Sequence, residues 1–507
     1  MEISEKSKSE KIMDIATKRG FFYPSAEIYG SKAGFWTYGS LGTKIKHKWE
    51  NLWRNYFLSL NTNFYEIDDC NIMPKKVFES SGHLKNFNDA MTECEKCHSR
   101  FKADQIVEDI LKIETGSLKE AELTKLIKEN KIKCLNCKGN LSDARFFNIM
   151  FGLKVGVTGE DEAFLRPESA QAPYLAFRRE FEATRRKLPL GLAVVGKAFR
   201  NEISPRQGFF RLREFTQAEL QIFFDSEKIN EHEKFDEVKN YNLIVYLASD
   251  KKLKKISCKE MNEKLKIPKF YVYHMVKFQE FYLNILKIPE NRFRFRELDE
   301  NERAFYNKIH FDIELNLETL GGWKEAAGCH YRTDHDLGGH QKGSGVKLEI
   351  TIDEEGKSKK VLPHVLELSF GVDRNIWALL DIFFKEEKER TLFAFPPYLA
   401  PLDAAVFPLV NKDGLPELSE EIFSDLFKSG FSVFYDSSGS VGRRYRRQDE
   451  VGTRFCLTLD YDSLKNKDLT IREVESMKQI RVKINDLNVI LKDLLNGEDL
   501  SKFGNFI

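Results

Sequence analysis

Residues 193–224 read AVVGKAFRNEISPRQGFFRLREFTQAELQIFF, and the fold of the chain turns on how this stretch is read. Residues 193–199 form an apolar run of strand length and strand composition. A charged loop follows, punctuated by Pro205 and Gly208 and carrying Arg200, Arg206, Arg211 and Arg213. The next run alternates, with Phe215, Gln217, Glu219 and Gln221 on one face and Thr216, Ala218, Leu220 and Ile222 on the other. The pattern predicts a long antiparallel hairpin with arginines at its neck and carboxylates along one strand. Guanidinium forks suit a polyphosphate, and the carboxylates suit a small cation beside it. The alternative is a solvated hairpin whose arginines pair only with Glu202 and Glu214. Polar side chains facing into an otherwise apolar sheet need partners, and a ligand is the simplest one.

A chain of 507 residues is long enough for two to four domains, each with its own core. Lysine plus arginine number 80 against 79 acidic residues, so contact with nucleic acid has to rest on local patches. No apolar run reaches the ~18 residues of a membrane span. The N-terminus MEISEKSKSEKIMDIA lacks the apolar core of a signal peptide, which points to the cytoplasm, and the eight cysteines form no secreted disulfide framework.

Upstream of the hairpin, 1–20 read as a short polar helix. From Thr43 onward Ile45, Trp49, Leu52, Trp53 and Phe57 recur at helical spacing, a stripe for a core or a subunit interface. YEIDDCNIMP then reads as extended, closed by Pro74. Cys94-x2-Cys97 and Cys134-x2-Cys137 have the spacing of a four-thiolate zinc ribbon. Such a metal is structural, since four thiolates leave no open position. Unligated thiols are the alternative.

Downstream, 225–315 read as lysine-rich helices with an aromatic face, an insertion that either is simply solvated or touches RNA. Strand signals return at 310–333, where glycines let backbone approach a ligand. His330, His335, His340 and His364 match no zinc spacing. VLPHVLELSFGVDRNIWALLDIFF reads as a strand, a glycine turn and a helix with Ile376, Leu379, Leu380 and Phe383 inward and Arg374 at the junction. Prolines 396, 397, 401 and 408 suggest a boundary, followed by alternating strand and helix units and a closing helix over 470–495. GRRYRRQDE places four arginines beside Tyr445, suited to RNA, with a basic surface turn as the alternative.

Three stretches, in the right order, resemble the motifs of class II aminoacyl-tRNA synthetases in their dimeric glycyl-tRNA synthetase form. FRNEISPRQGFFRLREFTQAE resembles motif 2, the helix and strand after Thr43 motif 1, and LELSFGVDR motif 3; RPESAQ, GW-x-E-x-x-G-x-x-x-R and YRRQDE add to the likeness. Ser169, Ala172, Leu368 and the pair His330-Tyr331 depart from the usual residues. The resemblance implies an α+β catalytic domain on an antiparallel sheet with flanking helices over 1–394. Insertions fall at 92–140 and 225–317, and an α/β anticodon-binding domain covers 395–507. It further implies that glycine is joined to tRNA(Gly) through a glycyl-adenylate, with ATP and Mg2+, in a homodimer outside any membrane. Arg200 and Arg374 become the catalytic residues, on the α-phosphate and the far end of ATP. The ATP site is completed by Asn201, Glu202, Phe210, Arg211, Leu212, Arg213, Glu214, Phe215, Glu325, Ala326, Gly371, Val372 and Asp373. Glycine falls to Arg100, Glu168, Phe215, Thr216, Gln217, Ala218, Glu219, Glu367, Leu368, Ser369, Phe370 and Gly371, with the three glutamates around its ammonium. Arg443, Arg444, Arg446 and Arg447 face tRNA, and Cys94, Cys97, Cys134 and Cys137 hold a structural zinc. A non-catalytic relative should lack the phosphate arginines, and a synthetase for threonine, proline or histidine should lack the three carboxylates together with EIYG, ESSGH and YRRQDE.

Overall fold

The computed structural model describes every residue except 1–5, 114, 116–117, 204, 206–207, 301, 304–306 and 355. Arg206 of the predicted arginine cluster lies outside the described residues. The hairpin forms as expected: Leu190–Phe199 pairs antiparallel with Glu214–Phe224, from Leu190 opposite Phe223 to Phe199 opposite Glu214.

That hairpin is part of a nine-stranded sheet. Its strands run, in spatial order, Leu253–Ser257, Asn242–Tyr246, Phe293–Glu297, Ile309–Leu317, Gly322–Thr333, His364–Gly371, Glu214–Phe224, Leu190–Phe199 and Phe64–Glu66. The six strands from Phe293–Glu297 to Leu190–Phe199 are antiparallel throughout. Because side chains alternate across a strand, register decides what each face carries. On one face Ala218, Leu220 and Ile222 lie opposite Phe370, Leu368 and Leu366, all buried. Helices Ser40–Phe57, Lys269–Glu280 and Val372–Phe383 cover this face. Trp53 meets Phe370 edge-on with ring centroids 5.9 Å apart, and Phe278 stacks on it at 4.7 Å. Each such aromatic contributes about 1.5–3 kcal/mol of burial.

One open reading is decided here and one changes. The tryptophan stripe of Ser40–Phe57 packs inside the chain, because Trp49 and Trp53 are fully buried against the sheet. The 225–317 region is not only helical: ahead of the strand expected from 310, which is Ile309–Leu317, it adds three more strands to the sheet. Its aromatic helix Lys269–Glu280 is buried on nearly all sides. Lysines flanking each apolar run hid the strands, since their long stems reach solvent from either kind of element.

The C-terminal part is a five-stranded mixed sheet ordered Val433–Tyr435, Ala404–Pro408, Phe455–Leu459, Asp468–Glu473, Gln479–Lys483, with its own core. The closing helix is shorter than expected. Residues 468–483 form an antiparallel hairpin with Ile471 opposite Ile480, and the helix is Leu487–Leu495. Helix Val441–Val451 of this part ends against the segment that follows helix Val372–Phe383: at Gly452, with φ of 78°, an added Cβ would lie 2.7 Å from Phe395 and 2.9 Å from Phe393.

Candidate active site

The opposite face of the central sheet is the polar one that the hairpin predicts. Three neighbouring strands contribute to it in register. Glu219 lies opposite Ser369, Gln221 opposite Glu367, Glu367 opposite His330, and Gly328 opposite Ser369. A pocket opens on this face, lined among others by Glu168, Arg200, Phe210, Glu219, Glu325, Arg332, Glu367 and Arg374.

At its deep end three buried carboxylates converge, with different surroundings. Glu367 takes a hydrogen bond from His330 Nδ1, one from Arg332 Nη1 at 3.0 Å and one from Gln221 Nε2 at 2.9 Å. Burial works against its charge, but Arg332 and His330 outweigh that and lower it to about 2. Burial also opposes the charge on Glu168, yet His83 at 3.2 Å and Arg332 at 3.6 Å hold it well below the usual carboxylate range. Glu219 has no cation within ion-pair distance among the described residues. Ser169 and Ser369 donate to it at 2.7 Å and Gln217 Nε2 at 2.9 Å, all neutral groups. Burial and the charges of Glu367 and Glu168 therefore raise it to about 7.

Arg332 is the hub of this end. It is fully buried, makes a two-pronged bond to Asp336 at 2.8 and 3.0 Å, and also touches Glu367 and Glu168. Tyr174 braces the network through Gln221 at 2.8 Å. Among these residues, Ser169, Gln171, Arg332 and Asp336 were visible in the sequence, but none signalled a site role alone. Their partners lie 35 to 169 residues away, except for Asp336, a turn after Arg332, and Glu168, three residues before Gln171.

The shallow end carries the arginines. Arg374 Nη1 meets Glu325 at 3.0 Å, and its guanidinium lies 5.4 Å over the Phe210 ring. Arg211 pairs with Glu202 at 2.8 Å. Arg200 sits between the rings of Phe87 and Phe215 at 5.2 and 5.3 Å, and Nε donates to the Pro167 carbonyl at 3.0 Å. No carboxylate pairs with it among the described residues.

Phe215, Thr216, Gln217, Leu212, Ser369, Gly371 and Asp373 also line the pocket. Other expected residues do not. Ala218, Ala326, Leu368, Phe370 and Val372 point into the core, so only their backbone adjoins the site. Glu214 pairs with Lys197 at 3.2 Å, and Asn201 stays out of the lining. Arg213 is spent on the carbonyls of Glu202 and Ala33. Asp373 binds the Thr216 N–H and the Tyr38 hydroxyl, anchoring the hairpin to the helix. Arg100 bonds Glu93 at 3.0 Å on the strand Arg100–Lys102 of the Cys-bearing insertion, away from the pocket.

In that insertion Cys94, Cys97, Cys134 and Cys137 do converge, with sulfurs of 94 and 137, and of 97 and 134, 3.5 Å apart. GRRYRRQDE is a helix rather than a turn. Arg444 is buried, donating to the carbonyls of Pro408, Ser437 and Gly439. Arg447 grips Asp436 at 2.7 Å, and Arg446 reaches Asp449 at 3.4 Å, so Arg443 alone of the four is exposed.

Comparison with known proteins agrees with this geometry. Residues 153–383 match the class II tRNA synthetase core domain (G, H, P, S and T), and 403–494 match the anticodon binding domain. The fold is shared by the prolyl-tRNA synthetase of Cryptosporidium parvum solved with L-proline and AMP, at TM-score 0.56 and 14% identity over 97% of this chain and 75% of that one. Fold and site thus define a class II aminoacyl-tRNA synthetase core joined to an anticodon-binding domain. The glycine–tRNA ligase of Thermococcus gammatolerans is 38% identical over 97% of this chain and 99% of its own. That of Methanococcus maripaludis is 35% identical over 96% and 100%. The chain belongs to the glycine–tRNA ligase family. No helix among the described residues is long and apolar enough to cross a membrane.

Proposed function

We propose that the chain activates glycine with ATP and transfers it to tRNA(Gly). The observation that carries this is Glu219, a buried carboxylate held, among the described residues, by neutral donors only, which suits it to a substrate ammonium. The side chains of Glu168, Glu219, Glu367 and Ser369 gather at this end, where they would exclude a methyl group at the α-carbon.

In the first step a glycine carboxylate oxygen attacks the α-phosphorus, and the bond to the β-phosphate bridging oxygen breaks, releasing pyrophosphate. No general base is required, because the nucleophile is already ionised. Arg200, which pairs with no carboxylate among the described residues, neutralises the α-phosphate, and Arg374 takes the far phosphate. Phe210 and the backbone of 211–215 flank the adenine. ATP takes over the guanidiniums now paired with Glu325 and Glu202, leaving those two hard carboxylate donors to hold Mg2+. When bound, that ion offsets phosphate charge. In the second step the tRNA 3′-hydroxyl attacks the adenylate carbonyl and AMP departs.

Domains 1–394 and 395–507 divide this work, with Arg443 on the tRNA-facing surface. The four cysteines suit a structural zinc, and the protein acts in the cytoplasm as a homodimer. The exposed side chains of Ile28 and Tyr29 support a partner surface beside the catalytic domain. Light scattering after size exclusion tests the dimer; a monomer at micromolar concentration removes it. Glycine-dependent ATP–pyrophosphate exchange tests the activity, and exchange with alanine or serine but not glycine overturns the specificity.

A further inference from the structure

One group of side chains in the pocket has no part in the reaction above. His310 and His330 lie directly opposite each other on the antiparallel strands Ile309–Leu317 and Gly322–Thr333, and Asp312 lies opposite Gly328. Side chains two apart on a strand share a face. The four positions therefore form a square in which three corners carry metal-ligand chemistry and the fourth, Gly328, carries none. One donor atom from each of His310, Asp312 and His330 lies within 4.8 Å of the others. The two rings meet edge to face with centroids 4.2 Å apart.

The orientation of each ring is fixed by its second nitrogen. Nδ1 of His330 is held by Glu367, which turns Nε2 over Gly328, where an added Cβ would lie 2.4 Å from it. Nδ1 of His310 lies 3.3 Å from the Asn307 side-chain amide, and Nε2 is shared with Asp312 at 2.9 Å. Asn307 is 7% exposed, yet its Oδ1 has no hydrogen-bond partner among the described residues. Turning that amide over lets Oδ1 accept the proton on Nδ1 and frees Nε2 as a ligand. Carboxylate or amide support behind each ligating histidine is how metal-binding imidazoles are oriented.

We propose that His310, Asp312 and His330 bind a divalent transition-metal ion of the zinc class, with its open position over Gly328 facing the pocket. Two imidazoles and one carboxylate with a position left free match a substrate-accessible site rather than a structural one. Mg2+ fits poorly because it prefers oxygen donors. The site is separate from the four-cysteine cluster. It stands or falls by metal content whatever amino acid is activated.

The test strips the full-length chain with chelator, reloads it with zinc alone and counts bound metal after gel filtration. Cys94→Ser/Cys97→Ser, which lacks the cysteine site, is expected to retain one zinc per chain, and adding His330→Ala to remove it. If the cysteine variant does not fold, cobalt loading of the otherwise unaltered chain decides. Weak visible bands without thiolate charge transfer should vanish in His330→Ala while the thiolate bands persist. Zinc held only by the cysteines, loading unaffected by His330→Ala, or displacement by excess Mg2+ overturns the site and leaves His330 as the counter-ion of Glu367.

Discussion

Glu219 and Ser369 are 150 residues apart in the chain, yet they face each other across two antiparallel strands, with the serine hydroxyl donating to the carboxylate at 2.7 Å. That pairing sets the electrostatics of the deep end, because a hydroxyl satisfies a carboxylate without neutralising it.

Glycine binding should therefore depend on pH through Glu219. Its pKa is raised to about 7, so the carboxylate is mostly protonated below that pH and cannot hold an ammonium. KM for glycine is expected to fall as pH rises from 6 to 8 and then level off, while KM for ATP changes little. Steady-state exchange kinetics over that range check this, and a flat glycine KM contradicts it.

The same shift predicts a stability change of opposite sense. In the unfolded chain Glu219 loses its proton near 4.5, but in the fold only near 7, so ionising it in place costs stability as pH rises between those values. At pH 8 the cost reaches up to about 3 kcal/mol. Glu219→Gln should thus melt higher than the parent at pH 8 and nearly the same at pH 4.5, while losing glycine activation. Thermal unfolding at the two pH values decides.

Arg374→Ala should lower glycine-dependent exchange by roughly 100- to 1000-fold, the range for removing one fixed donor to developing charge. Protein folding should survive, since the Arg374 side chain is a third exposed and its guanidinium meets Glu325 and the face of Phe210 rather than a buried network. Near-parental exchange would place the ATP tail elsewhere.

The two neighbouring arginines of helix Val441–Val451 should behave differently. Arg444→Ala leaves three carbonyls without their donor and should destabilise the C-terminal domain by about 2–3 kcal/mol. Arg443→Ala should leave melting and exchange unchanged but raise KM for tRNA. Parallel melting and charging assays separate the two.

Alternation and residue chemistry are local properties, and they were enough to determine the hairpin, its polar face, the cysteine pairs and the strand-to-helix junction at Arg374. The period of two fixes which side chains share a face wherever the strand lies. Lysine-flanked apolar runs gave no such period, so the three strands between 242 and 297 and the hairpin over 468–483 were not legible. Tertiary structure alone decided what each polar group meets. It made Arg332 a buried hub, turned Arg444 inward, left Arg100 outside the pocket and brought His310 opposite His330. The reason is that a charge is defined functionally by its burial and its partners. Those partners come from strands whose register is set by packing of the whole sheet.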